Sequence, residues 1–284
     1  MKILLKFNPI ETVSLRSKIS YLYSRRNKNA SEWTLKNAER ANQNLQSLIR
    51  PYFIQRLKNV EFKHSLPSKT EYVVWTHLSD KQRQLYEKYV TDSGKVAAVL
   101  SGEIRSPLEA ITWLKKLCGH PCLVSEYAGP EKLVSLRKDS GKLDVLFHLV
   151  KEFKKSGHRC LIFTQSIKML DIMERILPFK LGRIDGTVSG KSRQIIVDKF
   201  NQTDSKYDAL LLSTKAAGVG LTLTGADRAI VYDPSWNPAD DSQAVDRCYR
   251  IGQQKNVVVY RLITSGTVEG KLSICQKFHA FIIL

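Results

Sequence analysis

KLDVLFHLVKEFKKSGHRCLIFT, residues 142–164, passes from one structural period to another across a single turn. KLDVLFHLVKEFKK spaces its apolar residues as an amphipathic helix does, and RCLIFT is the continuous apolar run of a buried strand. Downstream the alternation repeats. SIKMLDIMERIL (166–177) reads as a helix and LGRID (181–185) as a strand. SRQIIVDKFN (192–201) is a helix, and ALLLST (209–214) and RAIVYD (228–233) are strands. DDSQAVDRCYR (240–250) is a helix and VVVYRLIT (257–264) a strand. Strands that alternate with helices predict an α/β fold with a parallel sheet covered on both faces. No internal repeat is present.

Upstream of about residue 130 the chain reads as mainly helical. In SEWTLKNAERANQNLQSLI (31–49), Leu35, Ala38, Ala41, Leu45 and Leu48 step by three and four along one helix face before Pro51 interrupts. Val73 to Trp75 predict a short strand, Asp80 a cap for the helix KQRQLYEKYV, and Ser106-Pro107 the start of another helix. The chain has 284 residues, room for one large or two small domains. Five scattered cysteines without paired spacing fit a reducing compartment, and no run is long and apolar enough for a membrane span or a signal peptide. Lys plus Arg number 45 against 27 Asp plus Glu, a net charge of +18 that favours a polyanion such as nucleic acid. The basic residues are spread, with small clusters at Arg25-Arg26-Asn27-Lys28, Lys115-Lys116 and Lys154-Lys155, so the fold has to assemble any binding surface.

Four stretches carry candidate chemistry. In QAVDRCYRIGQ (243–253), Gln243, Arg247 and Arg250 are spaced to share one face of a helix ending at Gly252, and planar guanidinium forks match phosphate oxygens. STKAAGVGLTLTGADRAIVYDPSWNP (213–238) joins a strand end at Ser213-Thr214 to a turn with Gly218 and Gly220. There the backbone can approach phosphate closely and Lys215 adds a donor. Its Asp233–Pro238 segment is a stiff loop at the strand edge where open α/β sheets bind ligands. Gly190-Lys191-Ser192 imitates a phosphate loop, but Asp185 stands where G-x-x-x-x-G-K-[ST] needs its first glycine. Cys118, His120 and Cys122 lie close together with no second cluster to complete a tetrahedral metal site, so no metal centre is expected.

The blocks SGKLDVLFHLVKEFKKSGHRCLIFTQ, RIDGT, STKAAGVGLTLTGADRAIVYDPSWNP and QAVDRCYRIGQ resemble, in order and spacing, the C-terminal half of Swi/Snf-type DNA translocases of helicase superfamily two. LIRPYFIQRLK, LPSKTEYVVWTHLSDKQRQLYEKY and LKKLCGHPCL are similar to the family's helical insertions and crossing segment. LTLT, with Thr222, and NVVVYRLITSGTVEGK resemble the excision-repair-cross-complementing branch and its polo-kinase-interacting checkpoint helicase type. The resemblance implies a division into a helical segment from the end of the first motor lobe (1–64), a crossing segment with a second helical insertion (65–130), a RecA-like C-terminal lobe (131–270) and a truncated tail (271–284).

It also implies roles. Arg247 and Arg250 would be arginine fingers to the γ-phosphate of ATP with Mg2+. Gly218, Gly220 and Gln243 would lie on the nucleotide side. Thr164, Gln165, Arg183, Ser213, Thr214, Lys215, Trp236 and Asn237 would contact double-stranded DNA or couple that contact to the cleft. The phosphate loop and the Mg2+-binding acid would belong to a first RecA-like lobe outside this sequence, leaving the chain alone inactive. Implied partners are duplex DNA, that first lobe and chromatin proteins in the nucleus, with no membrane. Ala217 and Gly119 depart from the family's usual Gly and Asn or Asp, and Gly270 from its usual Glu. Two other readings remain open: a self-contained NTPase using Gly186–Ser192, and a non-catalytic DNA-binding module.

Overall fold

A computed structural model describes residues 31–52, 66–91, 107–124, 133–218 and 220–274. The basic cluster at 25–28 and the end of the tail lie outside these residues. The chain divides after Lys63 into two units. In the first, α1 (Glu32–Ile49) is capped by Ser31, whose side chain accepts from the Thr34 N–H. It buries Ala38 and Ala41 but leaves Leu35 and Leu48 exposed, so the predicted face is buried only at its small residues.

The second unit is built on six parallel strands: β1 (Lys69–Thr76), β2 (Cys160–Thr164), β3 (Leu181–Ile184), β4 (Ala209–Ser213), β5 (Arg228–Val231) and β6 (Val257–Thr264). Their order in the sheet is β1-β6-β5-β2-β4-β3. The helices are α2 (Asp80–Thr91), α3 (Pro107–Gly119), α4 (Leu133–Lys138), α5 (Gly141–Lys155), α6 (Ile167–Ile176), α7 (Gly190–Asn201), α8 (Thr214–Ala217) and α9 (Pro238–Val245). The central strands are apolar apart from Thr164, Ser213 and Arg228 at their ends, because both faces are covered. On one face Leu161, Phe163, Leu210, Leu212 and Val231 join Val197 and Phe200 of α7 and Ala244 and Val245 of α9. On the other, Ile162, Leu211, Ile230 and Leu262 join Leu143, Leu146 and Val150 of α5 and Leu170 and Met173 of α6.

Serines set where the helices begin. Ser140, Ser166, Ser189 and Ser213 cap α5, α6, α7 and α8 by accepting the N–H three residues on. At α2 the cap is Ser79 rather than the expected Asp80. Ser79 Oγ accepts from the Gln82 N–H, and Gln82 Oε1 accepts in return from the Ser79 N–H and also from that of Gly141. Gly141 has no alternative here, since a Cβ would collide with the His77 carbonyl oxygen.

Two local readings change. The strand expected over Val73–Trp75 is a full edge strand, paired with β6 from Lys69↔Val257 to Thr76↔Thr264. Its outer half is polar, and Lys69 and Glu71 reach Asp246 and Arg261 through ion pairs that periodicity cannot register. The helix expected over 240–250 ends at Val245. After it the chain tightens into i→i−3 bonds, from the Arg247 N–H to Ala244 O (3.1 Å) and the Cys248 N–H to Val245 O (3.0 Å). The Arg247 carbonyl accepts from the Leu223 N–H at 2.9 Å. That tertiary bond takes the acceptor a continuing helix would use.

Candidate functional site

The order of strands fixes where a crevice opens. From β2 the chain moves to β3 on one side of the sheet, and from β5 to β6 on the other. The loops after β2 and β5 therefore diverge at their C-terminal ends, and such switch points hold ligands. A cleft of about 270 Å3 lies there, lined by Gln165, Thr214, Lys215, Gly218, Ser235, Asp240 and Gln243. The expected DNA-side residues Gln165, Thr214 and Lys215 thus share one cleft with the expected nucleotide-side residues Gly218 and Gln243.

Two carboxylates fasten its walls. Both Asp233 oxygens accept from the Gln165 N–H, at 3.0 and 3.1 Å. Asp241 Oδ2 accepts from the Ser235 N–H at 2.9 Å and lies 3.6 Å from Arg261. Burial pushes both carboxyls up to about 6, against the hydrogen bonds that favour their charged forms. Ser213 is buried as the cap of α8, and Thr214 Oγ1 is buried with no hydrogen-bond partner among the described residues.

Arg247 and Arg250 are not helix-borne, yet both reach the glycine turn. Arg247 Nη2 donates to Gly218 O at 2.7 Å, and Arg250 Nη1 lies 3.4 Å from Gly220 O, where φ is +48°. Arg247 is 4% exposed, its Nε has no partner among the described residues, and neither guanidinium is in an ion pair there. Burial, then the nearby Arg250 charge, lowers the pKa of Arg247. A buried cation beside a like charge, bonded to a carbonyl and only partly offset by the nearby Asp246 charge, is an electrostatic setting that an anion relieves.

Sequence reading did not assign Gln253 a role of its own. It is 5% exposed, and Nε2 contacts the carbonyls of Ala226 (2.8 Å), Cys248 (3.0 Å) and Thr224 (3.3 Å). Its Oε1 accepts from the N–H groups of Gln254 and Lys255. One carboxamide ties the Arg247–Arg250 turn to the 224–226 loop. The sequence signal was a glutamine directly after Gly252, which the structure places at φ +99°.

The remaining expected residues fall into three groups. Trp236, 42% exposed, has Lys115 Nζ 4.9 Å from its ring centroid, and Asn237 caps α9. Thr164 is fully buried, its Oγ1 accepting from the Ser166 N–H. Arg183 is not brought to the cleft. It lies in the edge strand β3 and is held by Asp171 (2.7 Å), Glu174 (2.9 Å) and Asp185 (2.8 Å). Burial works against its charge, but the three carboxylates outweigh it and raise its pKa.

At Gly186–Ser192 several backbone donors are engaged within the segment itself. The Thr187 N–H goes to Asp185 Oδ1 and the Ser192 N–H to Ser189 Oγ, and Asp185 is held ionised by the Thr187 hydroxyl. Cys118 is buried with its thiol pushed up to about 12, as a residue packing a helix end inward. His120 accepts from the Cys122 N–H and bonds Leu136 O.

Beneath the crevice, Lys142 and Glu269 form a fully buried ion pair at 2.5 Å, and Lys142 also donates to Tyr232 O at 3.0 Å.

Comparison with known proteins agrees with this geometry. Residues 141–252 match the helicase conserved C-terminal domain, and residues 4–123 match the SNF2-related domain. The DNA excision repair protein ERCC-6-like of Danio rerio is 40% identical over 302 residues, covering 86% of this chain and 21% of the relative. The DNA excision repair protein ERCC-6 of Homo sapiens is 39% identical over 270 residues, covering 89% and 18%. The chain spans about a fifth of the length of these curated relatives. Among solved structures, the C-terminal part of the Fun30 ATPase domain superposes with a TM-score of 0.64 at 26% identity, covering 74% of this chain and 89% of that one. The Sulfolobus solfataricus SWI2/SNF2 ATPase core in complex with dsDNA gives 0.62 at 31% identity, covering 84% and 50%. With the sheet, the crevice and both sequence halves in agreement, the chain belongs to the SNF2-related helicase family, with its RecA-like C-terminal part built on the six-stranded sheet and ERCC-6 and ERCC-6-like proteins among its relatives.

Proposed function

We propose that these residues form the second motor lobe of an ATP-dependent double-stranded DNA translocase in the nucleus. It would act with a first RecA-like lobe that carries the phosphate loop and the Mg2+-binding acid, and with chromatin proteins as further partners. The observation that carries the reading is the guanidinium pair: Arg247, buried with an Nε unpartnered among the described residues, next to Arg250, both donating to the glycine turn whose Gly218 lines the crevice. That donor set, with the turn at Gly218 and Gly220, fits a polyphosphate. Mg2+ would be held from the other lobe and by the phosphates.

ATP with Mg2+ would supply the phosphoanhydride whose hydrolysis drives the motor. Arg247 and Arg250 would exchange glycine carbonyls for phosphate oxygens as the lobes close, and a positioned arginine finger is worth roughly 10³–10⁵ in rate. Gln243 and Gly218 would shape the nucleotide side. Gln165, Ser213, Thr214, Lys215, Trp236 and Asn237 would form the DNA side, where phosphate contacts position the protein without reading sequence. Thr164 would act by shaping the Gln165–Ser166 turn. Arg183 would have to leave three carboxylates to reach DNA.

The solved SWI2/SNF2 core bound to dsDNA and the excision-repair names of the relatives support a DNA substrate. The Asp185 carboxylate, turned onto the Thr187 N–H and hydroxyl where a phosphate would have to sit, speaks against the self-contained NTPase. In a protein carrying both lobes, Arg247→Ala and Arg250→Ala should each lower DNA-stimulated ATP turnover by roughly 10³ while duplex binding persists. Turnover within about tenfold of wild type in both variants would overturn the assignment.

A further inference from the structure

The carbonyls that a helix leaves open at its C-terminal end are all engaged at the end of α3. Gln82 Nε2 donates to Leu117 O at 2.7 Å and to Cys118 O at 3.0 Å. Gly119 O accepts from Ser140 Oγ at 2.7 Å and from the Tyr232 hydroxyl at 2.8 Å. These bonds tie α3 to α2, to the cap of α5 and to the residue that follows β5. Leu114, Leu117 and Cys118 of the same turns are buried, so this end of α3 is a fixed mount.

From that mount Lys115 reaches the crevice loop. Its Nζ donates to Pro234 O at 2.8 Å and lies 4.9 Å from the centre of the Trp236 ring. Asp233, Glu269 and Asp241 act on its charge, and two of these are the carboxylates that hold the Gln165 and Ser235 N–H groups of the crevice walls. Burial lowers the pKa of Lys115 in spite of them. Pro234 and Pro238 fix φ at two points of the loop, so one pinned carbonyl orients the residues between them. Lys116, the next residue along, is exposed.

We propose that Lys115 is a positioning residue that sets the Asp233–Asn237 loop from α3, and through it the presentation of Trp236 and Asn237 to duplex DNA. Its bond falls between the two clasps, the Asp233 carboxylate and the Ser235 N–H. A charged donor to a carbonyl, with the cation near an indole face, is stronger than a neutral loop bond. The positioning of the loop stands on these distances alone; the duplex part rests on the function proposed above.

The first measurement is amide hydrogen exchange on the whole chain without DNA. Lys115→Met keeps the length of the side chain and removes the ammonium. It should lower the protection of the Ser235 amide by about tenfold and leave the core amides of Ile162 in β2 and Ile230 in β5 within about twofold of wild type. Lys116→Met makes the same charge change one residue away and should leave Ser235 within about twofold. Should Lys115→Met fail to fold, Lys115→Gln is read in the same way. Ser235 protection within about twofold of wild type in the Lys115 variant, an equal fall in Lys116→Met, or a matching fall at Ile162 and Ile230 would overturn the proposal. The last outcome is what a merely structural role would give.

The second measurement uses a protein carrying both lobes. The duplex concentration for half-maximal ATP turnover should be about tenfold higher in Lys115→Met than in Lys116→Met, with the KM for ATP within about twofold. A smaller folded fraction would lower turnover without moving that midpoint. Equal midpoints beside a fall in Ser235 protection would overturn the duplex part, and with it the DNA-side assignment of Trp236 and Asn237, while the positioning of the loop by Lys115 would stand.

Discussion

Gln253→Glu changes one buried NH2 group into an oxygen and leaves size and shape alone. In the native fold Nε2 faces three carbonyls, of Ala226, Cys248 and Thr224. The variant keeps an acceptor for the Gln254 and Lys255 N–H groups but offers those carbonyls a like partial charge. Two donor bonds are lost, at about 1 kcal/mol each, and at least one buried carbonyl is left without a partner, at about 1–3 kcal/mol. The expected loss of unfolding free energy is about 3–5 kcal/mol at pH 7.5. It should shrink at pH 5, because a glutamic acid forced into this site takes up a proton and can donate one bond again. Urea denaturation of the chain at both pH values, with the m-value checked for constancy, reads this directly. A loss under about 1 kcal/mol at pH 7.5 would refute the reasoning, as would a larger loss at pH 5. It would mean that the Arg247–Arg250 turn is held by something other than this carboxamide.

Further outcomes follow from the buried charges. Asp233 and Asp241 have folded pKa values of about 6, above the ordinary 3.8, so the stability they favour is fully present below that value and is lost as pH rises through 6. His120, lowered by burial, acts in the opposite direction over an overlapping range, whereas Asp185 and Glu71, held below their usual values, lose stability only in more acid solution. The measurement is therefore a difference. Wild type minus Asp233→Asn, by denaturation from pH 4.5 to 7.5, should favour wild type more at the acid end by on the order of 1–3 kcal/mol. The opposite slope would show that the carboxyl is not held protonated by burial. Lys142→Met should cost about 3–5 kcal/mol by leaving Glu269 buried without its cation, and adding Glu269→Gln should recover much of that. A double variant no more stable than Lys142→Met would assign the loss to packing.

The parallel sheet was legible because its central strands are short, largely apolar runs that alternate with helical patterns. The crevice was legible in part: Gln165, Thr214, Lys215, Gly218 and Gln243 come from three separate blocks, and the strand order brings them together. What the sequence could not show were non-local bonds. The helix face expected to carry Arg247 and Arg250 is broken by the bond from the Leu223 N–H to the Arg247 carbonyl. The two guanidiniums reach the glycine turn all the same, through a loop. Gln253 Nε2 reaches the Thr224 and Ala226 carbonyls more than twenty positions away, and Arg183 meets carboxylates from α6 that no local window pairs with it. Periodicity reports faces and turns, whereas these contacts depend on which segments the sheet sets side by side.

ATP turnover by the 284-residue chain alone, with and without duplex DNA, tests the central claim most directly. If its arginines serve a nucleotide held by another lobe, turnover should stay at the level of a protein-free control in both mixtures. DNA-stimulated turnover on the order of 1 s⁻¹ or faster, the pace of an ordinary complete enzyme, would contradict it.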